Sequence, residues 1–501
     1  MLRKIRITLA LVCFVFVTLL FLDFTGTFHA WFGWLAKIQF LPAVLALNVG
    51  VVALLAVLTL LFGRVYCSVI CPLGVFQDVV SWISGRRKRK KYRFSYSPAK
   101  SWLRYGVLAL FVCAVAAGVG SFVALLAPYS AYGRIVQNLF APLYGWGNNL
   151  LAYLAERAGS YAFYTTDVWL KSLPTFLIAA VTFIVVVLLA WRGGRTYCNT
   201  ICPVGTVLGL LSRYSLFRPE IDPQRCNACG LCSRACKASC IDGKAHRIDY
   251  SRCVTCLDCI ETCTHGAIRY DFRFKKRQPQ PVAAVGEKTS ETDAARRGFL
   301  TGLGLLAGTA ALRAQEKKVD GGLAVILDKQ IPNRATPIVP PGAQGLRHMR
   351  THCTGCQLCV AVCPTGVLRP SAGLETLMQP EMSYERGYCR PECGKCAEVC
   401  PTDAIRLTDL AEKSSVQIGH AVWISRNCVP LTDGVECGNC ARHCPTGAIT
   451  MVASDPEAEN SPKIPAVNVE RCIGCGACEN LCPARPFSAI YVEGHEQHRT
   501  I

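Results

Sequence analysis

A chain of 501 residues with 31 cysteines and 51% hydrophobic residues is too long and too apolar for a disulfide-stapled secreted domain. Its 54 Lys+Arg against 34 Asp+Glu give a net charge of +20, and the basic run Arg86–Lys91 invites a nucleic-acid reading. That run directly follows an apolar stretch, where cytoplasmic loops of membrane proteins collect Lys and Arg, so a membrane partner and no nucleic acid are expected.

Four apolar stretches are long enough to span a bilayer: Ile7–Leu22, Phe40–Phe62, Tyr105–Ala127 and Leu173–Trp191. The first follows Arg3, Lys4 and Arg6, and no small-residue cleavage site succeeds it, so it reads as a retained helix rather than a signal peptide. Positive residues flank the N-terminus and fill the loop 63–104, while the loop 128–172 is nearly balanced. The N-terminus, the basic loop and the end of the fourth helix are therefore expected in the cytoplasm. Asp23 and His29, just past the outer end of the first helix, are candidate proton acceptors. Ordinary interfacial polar side chains would look the same.

The membrane half repeats itself. GRVYCSVICPLG (Gly63–Gly74) and GRTYCNTICPVG (Gly194–Gly205) end the second and fourth helices. Cys67 matches Cys198 and Cys71 matches Cys202 at a constant offset. Residues four apart share a helix face, so each pair can present two thiolates to a metal or line a cofactor or quinol site. The alternative is a small buried filler, which is the reading for the isolated Cys13 and Cys113.

Two four-cysteine motifs follow, Cys226/Cys229/Cys232/Cys236 and Cys253/Cys256/Cys259/Cys263. A run of four at this short spacing is an iron–sulfur signature, whereas zinc ribbons use pairs. In two-cluster ferredoxins the fourth cysteine ligates the other cluster, which groups Cys226, Cys229 and Cys232 with Cys263, and Cys253, Cys256 and Cys259 with Cys236. Lys237 and Thr264 stand where proline usually follows, and the extra Cys240 is an alternative to Cys236.

Residues 276–345 read as a linker. Within it, residues 295–315 hold the twin arginine Arg296–Arg297 and a Gly/Ala-rich apolar run, similar to a Tat export signal. A short buried helix is the alternative. Four more groups follow: Cys353/Cys356/Cys359/Cys363, Cys389/Cys393/Cys396/Cys400, Cys428/Cys437/Cys440/Cys444 and Cys472/Cys475/Cys478/Cys482. Each closes with proline. Which group lends its last cysteine to which is open.

The expected fold is a membrane α-helical bundle of four transmembrane helices with a two-fold internal repeat (1–215). A two-cluster ferredoxin-like α+β module (216–275), the linker and a four-cluster module (346–501) complete it. About six [4Fe–4S] clusters are implied by 24 cysteines in six groups.

Residues 1–275, with four helices, two C-x₃-C-P motifs and a two-cluster module, resemble the polytopic ferredoxin-type protein of periplasmic nitrate reductase systems (NapH-like). Residues 295–495, with the twin arginine, PPGA and four cysteine groups, resemble its Tat-exported partner (NapG-like). The resemblance implies a quinol dehydrogenase of the bacterial inner membrane. It would take electrons from the quinone pool and pass them to a redox partner, a cytochrome c or a periplasmic reductase. The first module would be cytoplasmic and the second periplasmic. A reading from another class is metal handling, in which the C-x₃-C-P pairs bind or reduce a soft metal such as copper.

Overall fold

The computed structural model describes residues 1–23, 26–86, 94–274, 327–406, 409–458 and 461–501. The Tat-like segment 295–315 and residues 87–91 of the basic run lie outside the described residues.

Two helices are long and apolar enough to cross a membrane, Leu2–Leu22 and Leu173–Gly193. With 21 residues each and 1.5 Å rise per residue, both reach about 32 Å, the thickness of the hydrocarbon layer. The other two expected spans are broken, which corrects the expectation of four continuous helices. Phe40–Phe62 divides into Phe40–Leu45 and Val49–Phe62, and Tyr105–Ala127 into Ser101–Ala116 and Gly120–Leu126.

Both breaks are the same device. Leu47 (φ 53°) and Gly118 (φ 71°) turn left-handed. Asn48 N–H then donates to Ala43 O and Val119 N–H to Ala114 O, both at 2.9 Å, which is the Schellman closure of a helix end. Gly118 turns without strain. Leu47 turns at a cost of roughly 1 kcal/mol, and the following Asn48 restarts the chain by capping Val51 N–H at 3.2 Å.

The stretch 128–172, expected as a loop, instead begins with helix Pro128–Ile135, a π-turn at Val136–Phe140 and helix Ala141–Arg157. Pro128 supplies the pre-set φ of a first helical residue. Every residue of Pro128–Ile135 is buried, with Tyr132 packed on Phe14, Phe21 and Phe76.

The first module is an α+β unit. Strand Phe217–Ile221 pairs antiparallel with Ile268–Phe272, and a hairpin joins Ile241–Asp242 to Arg247–Ile248. Its two short helices, Leu231–Ala235 and Asp258–Thr262, pack together. The second module is built likewise on the pairs Val416–Trp423 with Ile490–Thr500, Ile449–Ala453 with Lys463–Val467, and Leu368–Pro370 with Pro380–Met382. Ile338, Val339 and Ala343 are buried in its core, so this unit begins inside the stretch expected as linker.

The modules sit at opposite ends of the helices. Arg3, at the start of helix Leu2–Leu22, holds Asp258 and Glu261 of the first module. Past the other end of that helix, Gly26 abuts Lys395 of the second module. Ser121 donates to Leu374 O at 2.9 Å and Asn138 to Gln357 Oε1 at 2.9 Å on the same side.

Candidate cluster sites and the four-thiol centre

Four of the six short helices that follow a cysteine loop begin at a tight left-handed turn. Gly230, Leu257, Gln357 and Gly476 take left-handed backbone there, curling the preceding cysteines around one point. In the first module Cys232 faces Cys226, Cys229 and Cys263, and Cys259 faces Cys253, Cys256 and Cys236. The last cysteines are thus exchanged. Cys240 lies 3.5 Å from the Cys236 sulfur and also bonds Cys253. It therefore stands against two members of the second quartet, while Cys236 is the neighbour of Cys259.

The structure also orders the groups whose exchange the sequence left open. One cavity is lined by Cys353, Cys356, Cys359 and Cys400. A second is lined by Cys389, Cys393, Cys396 and Cys363, and a third by Cys472, Cys475, Cys478 and Cys444. Cys440 faces Cys428, Cys437 and Cys482. Four thiols gathered around each of these points are the ligand set of a cluster that holds thiolates at its corners.

The quartets follow one another. Cys359 neighbours Cys396 across the first two groups of the second module. Cys389 N–H donates to Cys475 O at 2.9 Å, and Cys478 neighbours Cys440.

Between the modules lie the paired motifs. Cys67, Cys71, Cys198 and Cys202 are free thiols, each 3–4% exposed. Two arginines missed as functional residues in the sequence cross between the repeats. Arg64 donates to Cys198 O at 3.2 Å and approaches Cys67 Sγ at 3.7 Å. Arg195 donates to Cys67 O at 2.7 Å and approaches Cys198 Sγ at 4.0 Å. Gly74 and Gly205 admit these crossings, since a Cβ on either would strike both the other motif's arginine and a cysteine carbonyl. The signal was present: glycine and arginine open both copies of the motif. Cys13 is half-buried and Cys113 exposed, outside any such group.

Asp23 and His29 come together. Asp23 Oδ2 lies 3.1 Å from His29 Nδ1, both side chains 6% exposed, and the carboxylate also accepts from the N–H groups of Gly26, Phe28 and His29. His29 Nε2 is buried without a hydrogen-bond partner among the described residues. Burial pushes the imidazole below its ordinary pKa, against the partial opposition of Asp23.

A family model described as a 4Fe-4S binding domain matches residues 44–91 and 173–222. The cysteines within those residues are Cys67, Cys71, Cys198 and Cys202. Models described as 4Fe-4S dicluster domains match 352–405 and 435–485; the first encloses one pair of groups that exchange cysteines, and the second encloses the other pair except Cys428. The chain is similar to ferredoxin-type electron-transfer proteins. The ferredoxin-type protein NapH of Haemophilus influenzae is 27% identical over 243 residues, 47% of this chain and 71% of NapH. The ferredoxin-type protein NapF of Escherichia coli is 29% identical over 185 residues, 36% of this chain and 99% of NapF. An uncharacterized protein of Methanocaldococcus jannaschii is 30% identical over 84 residues, and the match spans only 33% of that protein's length. No solved structure matches this chain. Several 4Fe–4S domains and this resemblance make electron transfer the function of the chain.

Proposed function

We propose that this chain is a quinol-oxidising protein of the bacterial inner membrane that relays electrons through six [4Fe–4S] clusters. The observation that carries the reading is the succession of thiol quartets at both ends of a bundle whose outer faces are apolar. Only 28% and 22% of the two long apolar windows are buried, where the core helix of a soluble protein would be mostly covered. Leu9, Val12, Val15, Leu177, Val181 and Ile184 instead point outward, the surface a bilayer would cover. The broken helices keep their freed backbone groups inside the protein, as lipid demands. Tyr66 OH donates to Gln39 Oε1 and accepts from Phe40 N–H, and Tyr197 OH donates to Leu126 O.

In this reading the first module faces the cytoplasm with the basic loop, and Arg296–Arg297 directs the second module outward. The 24 cysteines of the six quartets ligate the clusters, whose bound iron supplies the one-electron chemistry. The chain's own residues hold each quartet apart at fixed spacing and exclude water from it. Quinol binds near the outer end of helix Leu2–Leu22. His29 Nε2 takes a quinol proton while Asp23 holds the ring through Nδ1. Lys395 touches Gly26 and also lines the cavity of Cys363, Cys389, Cys393 and Cys396, which makes that quartet the point of electron entry. Electrons leave to a cytochrome c or reductase. The buried paired thiols do not favour copper delivery, which needs an exposed ligand for exchange.

The test is anaerobic reduction of the purified chain by a short-chain quinol, followed by EPR. Clusters reduced by quinol support the reading; clusters that respond to dithionite but never to quinol refute it. A reporter at Ile501 that is active only outside the cytoplasm, with Arg296→Lys and Arg297→Lys as controls, tests the export.

A further inference from the structure

We propose that Lys413 and Trp423 donate to the sulfurs of Cys389 and Cys428 in place of backbone N–H groups that two cysteine loops lack, and that the charge of Lys413 raises the potential at which its quartet accepts an electron. The donor role stands on the observations below; the place of that quartet in the electron path rests on the quinol reading above.

The loops differ at one position. Four of the six groups open C-x₂-C, and the residue two after the first cysteine is Ala228, Thr255, Gly355 or Gly474. All four take left-handed backbone, with φ of 55°, 50°, 61° and 75°. That conformation turns the N–H back toward the first sulfur. Gly355 N–H donates to Cys353 Sγ at 3.4 Å, and Thr255 and Gly474 donate likewise to Cys253 and Cys472. The two groups with wider openings carry proline at the same position, Pro391 after Cys389 and Pro430 after Cys428. Proline has no N–H, and its ring holds φ at about −65°. It can neither donate nor take the left-handed turn.

Both donors are supplied instead from the ends of one strand, Val416–Trp423. Lys413 stands three residues before it, in the short helix Leu410–Ser415, and bonds Cys389 Sγ. Trp423 is the last residue of the strand, paired with Ile490. Its Nε1 is buried with no other partner among the described residues and faces Cys428.

Lys413 brings charge as well as a donor. It is 5% exposed, and its Nζ also donates to Arg390 O and, at 2.5 Å, to Cys393 O. Two carbonyls and a sulfur are three acceptors, the number of N–H groups on an ammonium and one more than an amine has. Its partners among the described residues include no carboxylate, and a buried charge without a counter-charge is costly. Thiolates on a cluster supply negative charge, and an added electron supplies more. The ammonium therefore favours the reduced form, and net charge and hydrogen bonds to sulfur are what set cluster potentials. Lys171 adds a second cation within electrostatic reach of Cys363, donating to Val360 O at 3.4 Å. A quinol gives up an electron only to a centre whose potential is not far below its own, so a raised potential is what the first acceptor needs. Trp423 offers Cys428 a neutral donor, whose effect has the same direction and a smaller size.

The test is a mediated redox titration of the full chain, purified anaerobically and read by EPR, with iron counted alongside. In Lys413→Gln the iron should stay at the wild-type level while one signal moves to a lower midpoint and the others stay in place. Lys413→Arg keeps charge and donors and should leave that signal near its wild-type midpoint. Trp423→Phe should lower the midpoint of a different signal by less. Full iron with unmoved midpoints in Lys413→Gln would overturn the proposal, and so would a Trp423→Phe chain in which no signal moves. If Lys413→Gln sheds iron, Lys413→Arg decides. Iron lost there too makes Lys413 a brace of the loop 389–393 and overturns the proposal, whereas iron and midpoint kept there support it. Midpoints that shift as expected in a chain that quinol never reduces would refute the quinol reading and leave the donors standing.

Discussion

The two cluster modules are attached to the helices by different physics. The first has its own small core of Ile221, Cys232, Cys236, Cys240, Ile241 and Ile268 among others; it lends Val254 and Cys256 to the bundle's core and stacks Phe217 on Phe62, and adds to these a set of polar contacts. Across the junction Arg3 holds Asp258 at 2.7 Å, Lys237 reaches Asp78 at 3.6 Å, and Arg104 reaches Ser251 O at 2.9 Å. The second shares one continuous hydrophobic core with the bundle, running from Val17 and Phe21 through Tyr129 and Tyr132 to Cys356 and Leu358. A module with a core of its own can separate with its cluster loops intact. A module that shares a core cannot be undocked without exposing apolar surface.

The largest effect should follow from breaking the second module at its junction. Cys356→Ser removes one thiolate from the quartet with Cys353, Cys359 and Cys400, directly against Tyr129. It should cost about four iron atoms per chain and destabilise the bundle as well as the module, because ligation contributes to folding. Cys232→Ser should cost the same iron while thermal unfolding of the bundle stays near normal. Equal loss of bundle stability in the two variants would break the comparison. Gly133→Val is a purely steric version. A Cβ there meets Cys356 O and the Phe21 ring, and overpacking costs about 1–3 kcal/mol. Electron passage from Cys356 onward should slow while iron content is kept.

On the polar side, Asp258→Asn leaves Lys237 and Arg3 facing a neutral group. The loss of the pair with the half-exposed Arg3 should be about 1 kcal/mol of docking stability, read as faster proteolysis between the first module and the bundle. Burial works against the Asp258 carboxylate, but Lys237 and Arg3 outweigh it and hold its pKa below the ordinary range. A depressed carboxylate pKa contributes stability above the unfolded value, near 3.9, and that contribution is lost as pH falls through the folded value. The first module should thus loosen below about pH 4 in the wild type, and Asp258→Asn should abolish that pH dependence.

Much of this was legible in the sequence because cysteine spacing is local. A loop that wraps a cluster must place its thiols within a few residues of one another, so all six groups could be read directly. Exchange of the last cysteine is not local, and the pairing of Cys400 with Cys353 and of Cys363 with Cys389 needed the fold. The breaks in the helices differ in the same way. Gly118 sits in a visible AAGVGS stretch, whereas Leu47 has no signal in its residue type and turns because the chain around it folds back. Arg64 and Arg195 stood in plain view inside the repeat. Their roles depend on contacts across it, between positions more than a hundred residues apart.

A shift along a pH profile separates the two ends of the bundle most cleanly. The Asp23–His29 pair lies at the second module's end. Neutral His29, donating from Nδ1 to Asp23, leaves Nε2 as the acceptor for a quinol proton. Because burial holds its pKa below the ordinary value near 6.5, Nε2 stays bare at neutral pH and gains a proton only in more acidic solution. Quinol-dependent cluster reduction should therefore fall as pH drops, with a midpoint below about 6.5. His29→Gln should reduce the rate by about 100-fold, the lower range for loss of a general base, and should remove this limb. Reduction by dithionite, which delivers electrons without a quinol proton, should be untouched in the same variant. If His29→Gln keeps both its rate and its acid limb, the proton leaves the quinol elsewhere and the pair returns to the role of a capped interfacial turn.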